Sequence, residues 1–236
     1  MEPKPRTLRL ASPFMHGLDV AGLQRLLGVE DDGVYGPVTA AAVKAWKGAR
    51  GSPGPSGNLS PADHDRLRAD LQLRATVLLE SWAYRRLREE PPGSNRVPQL
   101  VALAKQLEVV EPFVGMGFPW CAFAVFLAAL AEGGRTAALG LRGVSFNALY
   151  APDVLAAAEK GRFGLQIVPE EEAWRGDLVL FDWDLTGGDP ADHIARLVEP
   201  PENGHVRTVD GNSGDMGLVQ LRERSSGSVR AFARDS

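Results

Sequence analysis

The chain has 236 residues, 44% apolar and 24% charged, with a net charge of −4 and a single cysteine. This length and apolar share suit one large or two modest globular domains and exclude a disordered or collagen-like chain. No run approaches the roughly 18 apolar residues of a membrane span, and residues 1–70 (+1) and 71–236 (−5) lack the basic surplus that phosphate contacts need, so neither membrane insertion nor a nucleic acid partner is expected.

The N-terminus (Met1-Glu2-Pro3-Lys4-Pro5-Arg6) leads into no apolar core, so no signal peptide is expected. Val20, Leu23 and Leu27 share one face of a first helix, which Gly28 is placed to stop. A second helix opens at Pro37 and is expected to turn Ala42, Ala45 and Trp46 inward. After the Gly/Pro/Ser loop at 51–57, Ser60-Pro61-Ala62-Asp63 reads as an N-cap, a first-turn proline and a first-turn acid, followed by Leu67 and Leu71. Three short helices make a small module over residues 1–70, and residues 71–236 form the second domain.

The joint between the first two helices, Asp32-Gly33-Val34-Tyr35-Gly36-Pro37-Val38-Thr39, follows Leu23-Gln24 and precedes an Ala/Val-rich helix ending in Trp46. Read physically, it is a tight helix connection. The pattern over about residues 18–70 also resembles the peptidoglycan-binding domain 1 family. That resemblance implies a non-catalytic module whose partner is bacterial peptidoglycan, without locating the contacting residues.

Residues 71–90 are expected to be helical with Leu78, Leu79, Trp82 and Leu87 apolar, ending at Pro91-Pro92-Gly93. Further helices are expected over 97–107, from about Trp120 to Gly133-Gly134, and over 152–160, with a loop at 108–118. From residue 164 the texture becomes β, with short runs at 164–168, 177–183, 193–199, 205–210, 218–222 and 229–233 between Gly/Pro/Asn/Asp turns. Helices followed by a strand meander define an α+β domain.

Cys121 follows Phe118-Pro119-Trp120 and so falls in the first turn of a helix, where the dipole and free N–H groups favour a thiolate. Taken alone, a lone Cys among Ala, Phe and Val is more often a small buried hydrophobe. A nucleophile needs a base and the base an orienting group. His16 and His64 belong to the first module, leaving His193 and His205. If 200–203 is a four-residue loop, Glu199 faces Gly204 and His193 falls directly opposite Asp210, with Asn212 on the same face. His205 would then lie on the other face, roughly 17 Å along the strand at about 3.4 Å per residue.

Pro119-Trp120-Cys121-Ala122, Gly176-Asp177-Leu178-Val179, Asp192-His193-Ile194-Ala195 and Val209-Asp210-Gly211-Asn212 resemble, in order and spacing over about residues 75–235, the CHAP domain. CHAP proteins are papain-like cysteine amidohydrolases that cut peptidoglycan. Two positions depart from the pattern: Asp192 stands where Gly is common, and Asp210 where Glu is usual. The resemblance implies Cys121 as nucleophile, His193 as general base and acid, and Asp210 or Asn212 as the group that orients the imidazole. It also brings forward Asn95, in a Gly-Ser-Asn loop ahead of the Cys, and Trp120 as substrate-binding candidates. Neither a metal nor a cofactor is expected. Some CHAP domains bind calcium through acids just before the Cys, but 114–117 is Val-Gly-Met-Gly, and the acids at 182–192 read as an exposed loop.

A wall-binding module joined to such a domain without a signal peptide resembles a phage endolysin, which would wait in the host cytoplasm for holin-dependent release. The alternatives are an inactive wall-binding protein and a papain-like hydrolase of another amide.

Overall fold

The computed structural model describes residues 6–52, 56–109, 119–141, 147–183, 188–214 and 217–235. The chain divides into two compact units, Met1–Asp70 and Leu71–Ser236.

The first unit contains β1 (Met15–His16), α1 (Leu18–Leu27), β2 (Val34–Tyr35), α2 (Pro37–Gly48) and the first ten residues of α3 (Pro61–Tyr84). Leu8, Val20, Leu23, Tyr35, Val43, Leu59 and Leu67 form its core. Two details correct the three-helix expectation. β1 and β2 pair as an antiparallel ribbon, Met15 with Tyr35. On α2 the inward face is Thr39 and Val43, with Ala40 and Trp46 packed beside them, while Ala45 is exposed.

The Leu-Gln and Asp-Gly-x-Tyr residues are spent on building this unit. Gln24 is buried, and its Nε2 donates to Asp32 Oδ1 (2.7 Å), the Val34 carbonyl (3.0 Å) and Thr39 Oγ1 (2.9 Å). Its Oε1 accepts the Gly33 N–H at 2.9 Å. Gly33 sits at φ +72°, a conformation that costs L-residues about 1–2 kcal/mol. Ser60 and Asp63 form a reciprocal capping box at the start of α3, Ser60 N–H to Asp63 Oδ2 (2.8 Å) and Asp63 N–H to Ser60 Oγ (3.2 Å).

The second unit is α+β. It holds the rest of α3, α4 (Pro98–Gln106), α5 (Cys121–Ala131), α6 (Arg135–Leu141) and α7 (Ala151–Glu159). The strands follow: β3 (Gln166–Val168), β4 (Leu178–Phe181), β5 (His193–Leu197), β6 (His205–Ser213), β7 (Leu218–Ser225) and β8 (Val229–Arg234). They form one antiparallel sheet in the order β3-β8-β4-β5-β6-β7. The separate helices expected before and after residue 71 are one helix, because nothing between Pro61 and Tyr84 breaks it. Residues 87–90, expected to be helical, instead run along the sheet edge: Arg88 bridges Leu218, and Glu89 N–H donates to the Gly217 carbonyl. Helix α6 is an addition to the expected elements.

Helix α5 is buried from Cys121 to Leu130. A helix apolar on every side belongs inside a core, and this one packs against α4, α6, β5 and β6. It is the element that anchors Cys121. Among the described residues, no helix is long and apolar enough to cross a membrane.

The β5–β6 hairpin corrects the expected register. Asn203 and Gly204, both at positive φ (51° and 74°), form the turn, and Glu202 and His205 exchange backbone hydrogen bonds across it. This is the type I′ turn that Asn-Gly favours. Pro200 and Pro201, which have no N–H to pair, lie in an irregular stretch, and ladder pairing resumes with Arg196 opposite Val209 and Leu197 opposite Thr208. Continued along β5, that register sets His193 level with Asn212, not Asp210. The shift is an even number of residues, so His193 and Asp210 keep the same face.

Candidate active site

Cys121 is the first residue of α5, Asp210 lies inside β6, and His193 opens β5. All three are buried. His193 Nε2 donates to Asp210 Oδ2 at 2.8 Å. Its other ring nitrogen is left for Cys121, with which the ring shares a hydrogen bond. The backbone N–H groups of Ala122 and Ile194 also reach the sulfur. Asp210 is therefore the group that orients the imidazole. Asn212 lies in the bulge of β6 between Asp210 and Ser213, at φ +54°, and lines a small polar basin beside His193.

The electrostatics follow from these contacts. Burial pushes the Cys121 thiol up, but the His193 charge, its hydrogen bond and the two N–H groups outweigh burial and bring the thiol below its ordinary 9. Burial disfavours a charged His193, yet Cys121 and Asp210 together raise it well above its ordinary 6.5. Asp210 is lowered in spite of burial, by His193 and by Arg224. Opposed shifts of this kind favour a thiolate–imidazolium pair.

Two cavities flank the pair. One, of about 550 Å³, is lined by Pro119, Cys121, Tyr150, Asp189 and Asp192 among others. The other, of about 330 Å³, is lined by Trp183, His193, Asn212, Arg222 and Arg224 among others. Trp183 is 49% exposed and stacks on Phe181 (centroids 4.9 Å apart), with His193 6.0 Å away.

Trp120 does not serve as a substrate surface. It is 3% exposed, its Nε1–H donates to the buried Glu89 Oε1 at 2.8 Å, and Gly211 of β6 lies against it. A Cβ at Gly211 would sit 2.5 Å from the Trp120 ring and 2.7 Å from Ala124 Cβ, so the strand carrying Asp210 meets the Cys helix through a position with no room for a side chain. Trp120 fixes the start of α5. Asn95 lies in the segment between α3 and α4, at φ +52°, and is not among the described residues lining either cavity. His205 is exposed and pairs with Glu223 (3.7 Å), away from the thiol's partners.

Residues 114–117 and Asp184 lie outside the described residues. Among the described ones, no group of three His, Cys, Asp or Glu is placed to hold a metal ion. Asp192 Oδ2 accepts the Trp183 N–H (2.7 Å), and Asp189 holds the Tyr150 hydroxyl. Sequence reasoning missed Glu89, Trp183 and Arg224. The alternation along β7, which puts Arg222 and Arg224 on one face, was the available signal for the last.

Comparison with known proteins returns no matching family model, no matching curated protein and no matching solved structure.

Proposed function

We propose that the chain is a peptidoglycan hydrolase of the CHAP type, with a papain-like catalytic unit at 71–236 and a wall-binding unit at 1–70. The observation that supports this best is the chain of contacts from the Cys121 thiol through His193 to Asp210, with opposed pKa shifts on thiol and imidazole. In this reading the Cys121 thiolate attacks an amide carbonyl of the wall peptide. The N–H of Cys121 at the start of α5 is a donor to the developing oxyanion. His193 gives its proton to the leaving amine, and an acyl-thioester remains on Cys121. His193 then takes a proton from water, the hydroxide attacks the thioester, and the released carboxylate leaves the thiolate restored. Asp210 stays ionised throughout and keeps the imidazole in place. Endolysin-type action with holin-dependent release is the physiological setting the two-unit organisation suggests.

The test is mass spectrometry of fragments released from purified, cross-linked peptidoglycan by the wild type and by Cys121→Ala. Release by the wild type alone is the expected result, and the new termini name the bond: free L-alanine amines mean an amidase, cut stems or bridges an endopeptidase. No release from several wall chemotypes, with both proteins still bound to sacculi, would replace this reading by that of a wall-binding protein.

A further inference from the structure

Asp210 Oδ2 receives two cationic donors. His193 Nε2 lies 2.8 Å from it, and so does one terminal nitrogen of Arg224 on β7. The other terminal nitrogen of Arg224 donates to Thr208 Oγ1 at 2.7 Å and to Asp210 Oδ1 at 3.2 Å, and Thr208 Oγ1 itself lies 3.3 Å from Oδ1. The guanidinium is held from a third direction by aromatic faces, 5.0 Å from the Phe181 centroid and 5.6 Å from that of Trp183. Neither Asp210 nor Thr208 is exposed to solvent. A planar guanidinium fixed on three sides is far more constrained than a surface ion pair needs to be.

The arrangement has two effects of opposite sign on His193. Arg224 fixes the carboxylate in the orientation that accepts Nε2–H. The same cation shares the oxygen on which the imidazolium depends, and its charge opposes a second positive charge nearby. We propose that Arg224 is a positioning residue that holds Asp210 for His193 and sets the upper pH limit of the Cys121–His193 ion pair. The inference rests on the reading of Cys121 and His193 as a thiolate–imidazolium pair.

Among the described residues, the other groups around the imidazole leave Arg224 as the one cation besides His193 itself in contact with Asp210. Cys121 on α5 and Asp210 on β6 supply the negative charge. Asp192, just before β5, accepts the Trp183 N–H. On β7, Glu223 faces His205, and Arg222 donates through Nε to Ser213 Oγ at 2.9 Å. β4 contributes Phe181, which does not titrate.

The experiment is the rate of Cys121 alkylation by iodoacetamide against pH, on the full chain at low ionic strength. Two inflections are expected in the wild type, the lower for formation of the ion pair and the upper for loss of the imidazolium proton. Arg224→Gln moves the upper inflection up by about one pH unit, the size expected for removing one nearby cation from a partly screened site. Arg224→Lys, which keeps the charge, leaves it within a few tenths. A merely structural Arg224 would lower stability and leave the inflection in place.

Arg224→Gln alone takes one cationic donor away from a buried carboxylate, so the same comparison is made between Asp210→Asn and Asp210→Asn/Arg224→Gln, where position 210 carries no charge. There the upper inflection lies at lower pH with arginine than with glutamine. Coincident upper inflections in both pairs overturn the assignment of Arg224. A wild type with no inflection below pH 8 overturns the ion-pair reading itself and the Arg224 assignment with it, an outcome that the first comparison cannot mimic.

Discussion

His193 and Asp210 meet diagonally across the β5–β6 hairpin. The ladder pairs Arg196 with Val209 and Leu197 with Thr208; continued to the head of β5 it brings His193 level with Asn212, and the imidazole reaches back along the sheet to the Asp210 carboxylate at 2.8 Å. Diagonal neighbours on one face of a sheet lie within reach of long or aromatic side chains, and an imidazole is long enough. Near that level lies the bulge at Asn212, which lines the same basin as His193.

The diagonal assigns unequal weights to the two candidates for orienting group. Asp210→Asn is expected to lower the rate of fragment release by about 10²–10⁴-fold, as loss of the orienting acid does in comparable triads. Asn212→Ala should stay within about tenfold. Initial rates on one peptidoglycan preparation compare the two, and equal losses would contradict the geometry.

The pair also predicts how stability responds to pH. Asp210 is lowered in the folded chain, so its contribution is present above its ordinary 3.8 and is lost as pH falls through the folded value. His193 is raised, so its contribution is complete below 6.5 and is lost as pH climbs through its higher folded value. The stabilisation from the pair is therefore fullest between about pH 4 and 6.5. Thermal unfolding of wild type and Asp210→Asn from pH 3 to 9 should show the largest gap in Tm in that window and a narrowing gap below it.

Glu89 holds Trp120, the residue just before Cys121. Glu89→Ala leaves the buried Trp120 Nε1–H without its acceptor, a loss of about 1–3 kcal/mol. Glu89→Gln retains an oxygen at the same reach and should cost about half as much or less. Urea unfolding followed by near-ultraviolet circular dichroism separates the two.

In the first unit, Gln24→Ala removes a side chain that serves four partners at once. The expected cost is about 1–3 kcal/mol, and backbone exchange at Gly33 and Val34 should accelerate accordingly. Hydrogen–deuterium exchange of the full chain measures this. Unchanged protection at Gly33 would mean that the turn holds itself.

The α+β order, the start of α5 at Cys121 and the partnership of His193 with Asp210 were legible because each follows from local chemistry: a proline before a helix, alternation along strands, a change of texture near residue 164. The hairpin register was not, because two rules competed. Pro200-Pro201 looked like the loop, but Asn203-Gly204 is the stronger turn former, and the prolines are accommodated as an irregularity in the strand. The conclusion survived because the error was an even number of residues. Trp120, expected among the substrate-binding candidates, is different: only the approach of Gly211 and Glu89 reveals that its surroundings are filled. Arg224 becomes part of the site only when β7 folds back on β6, a pairing that its own neighbourhood in the chain does not announce.

The bare backbone at Gly211 acts as a spacer of zero thickness between the strand that bears Asp210 and the helix that bears Cys121. Any side chain inserted there is a shim, and its thickness is subtracted from the alignment of sulfur and imidazole. A graded series at this one position, from alanine to serine to valine, would part the two halves of the site by increments while leaving every reactive group chemically intact. The approach of the Asp210 strand to the Cys121 helix thereby depends on an absent methyl group at Gly211, and it can be tuned there without touching Cys121, His193 or Asp210.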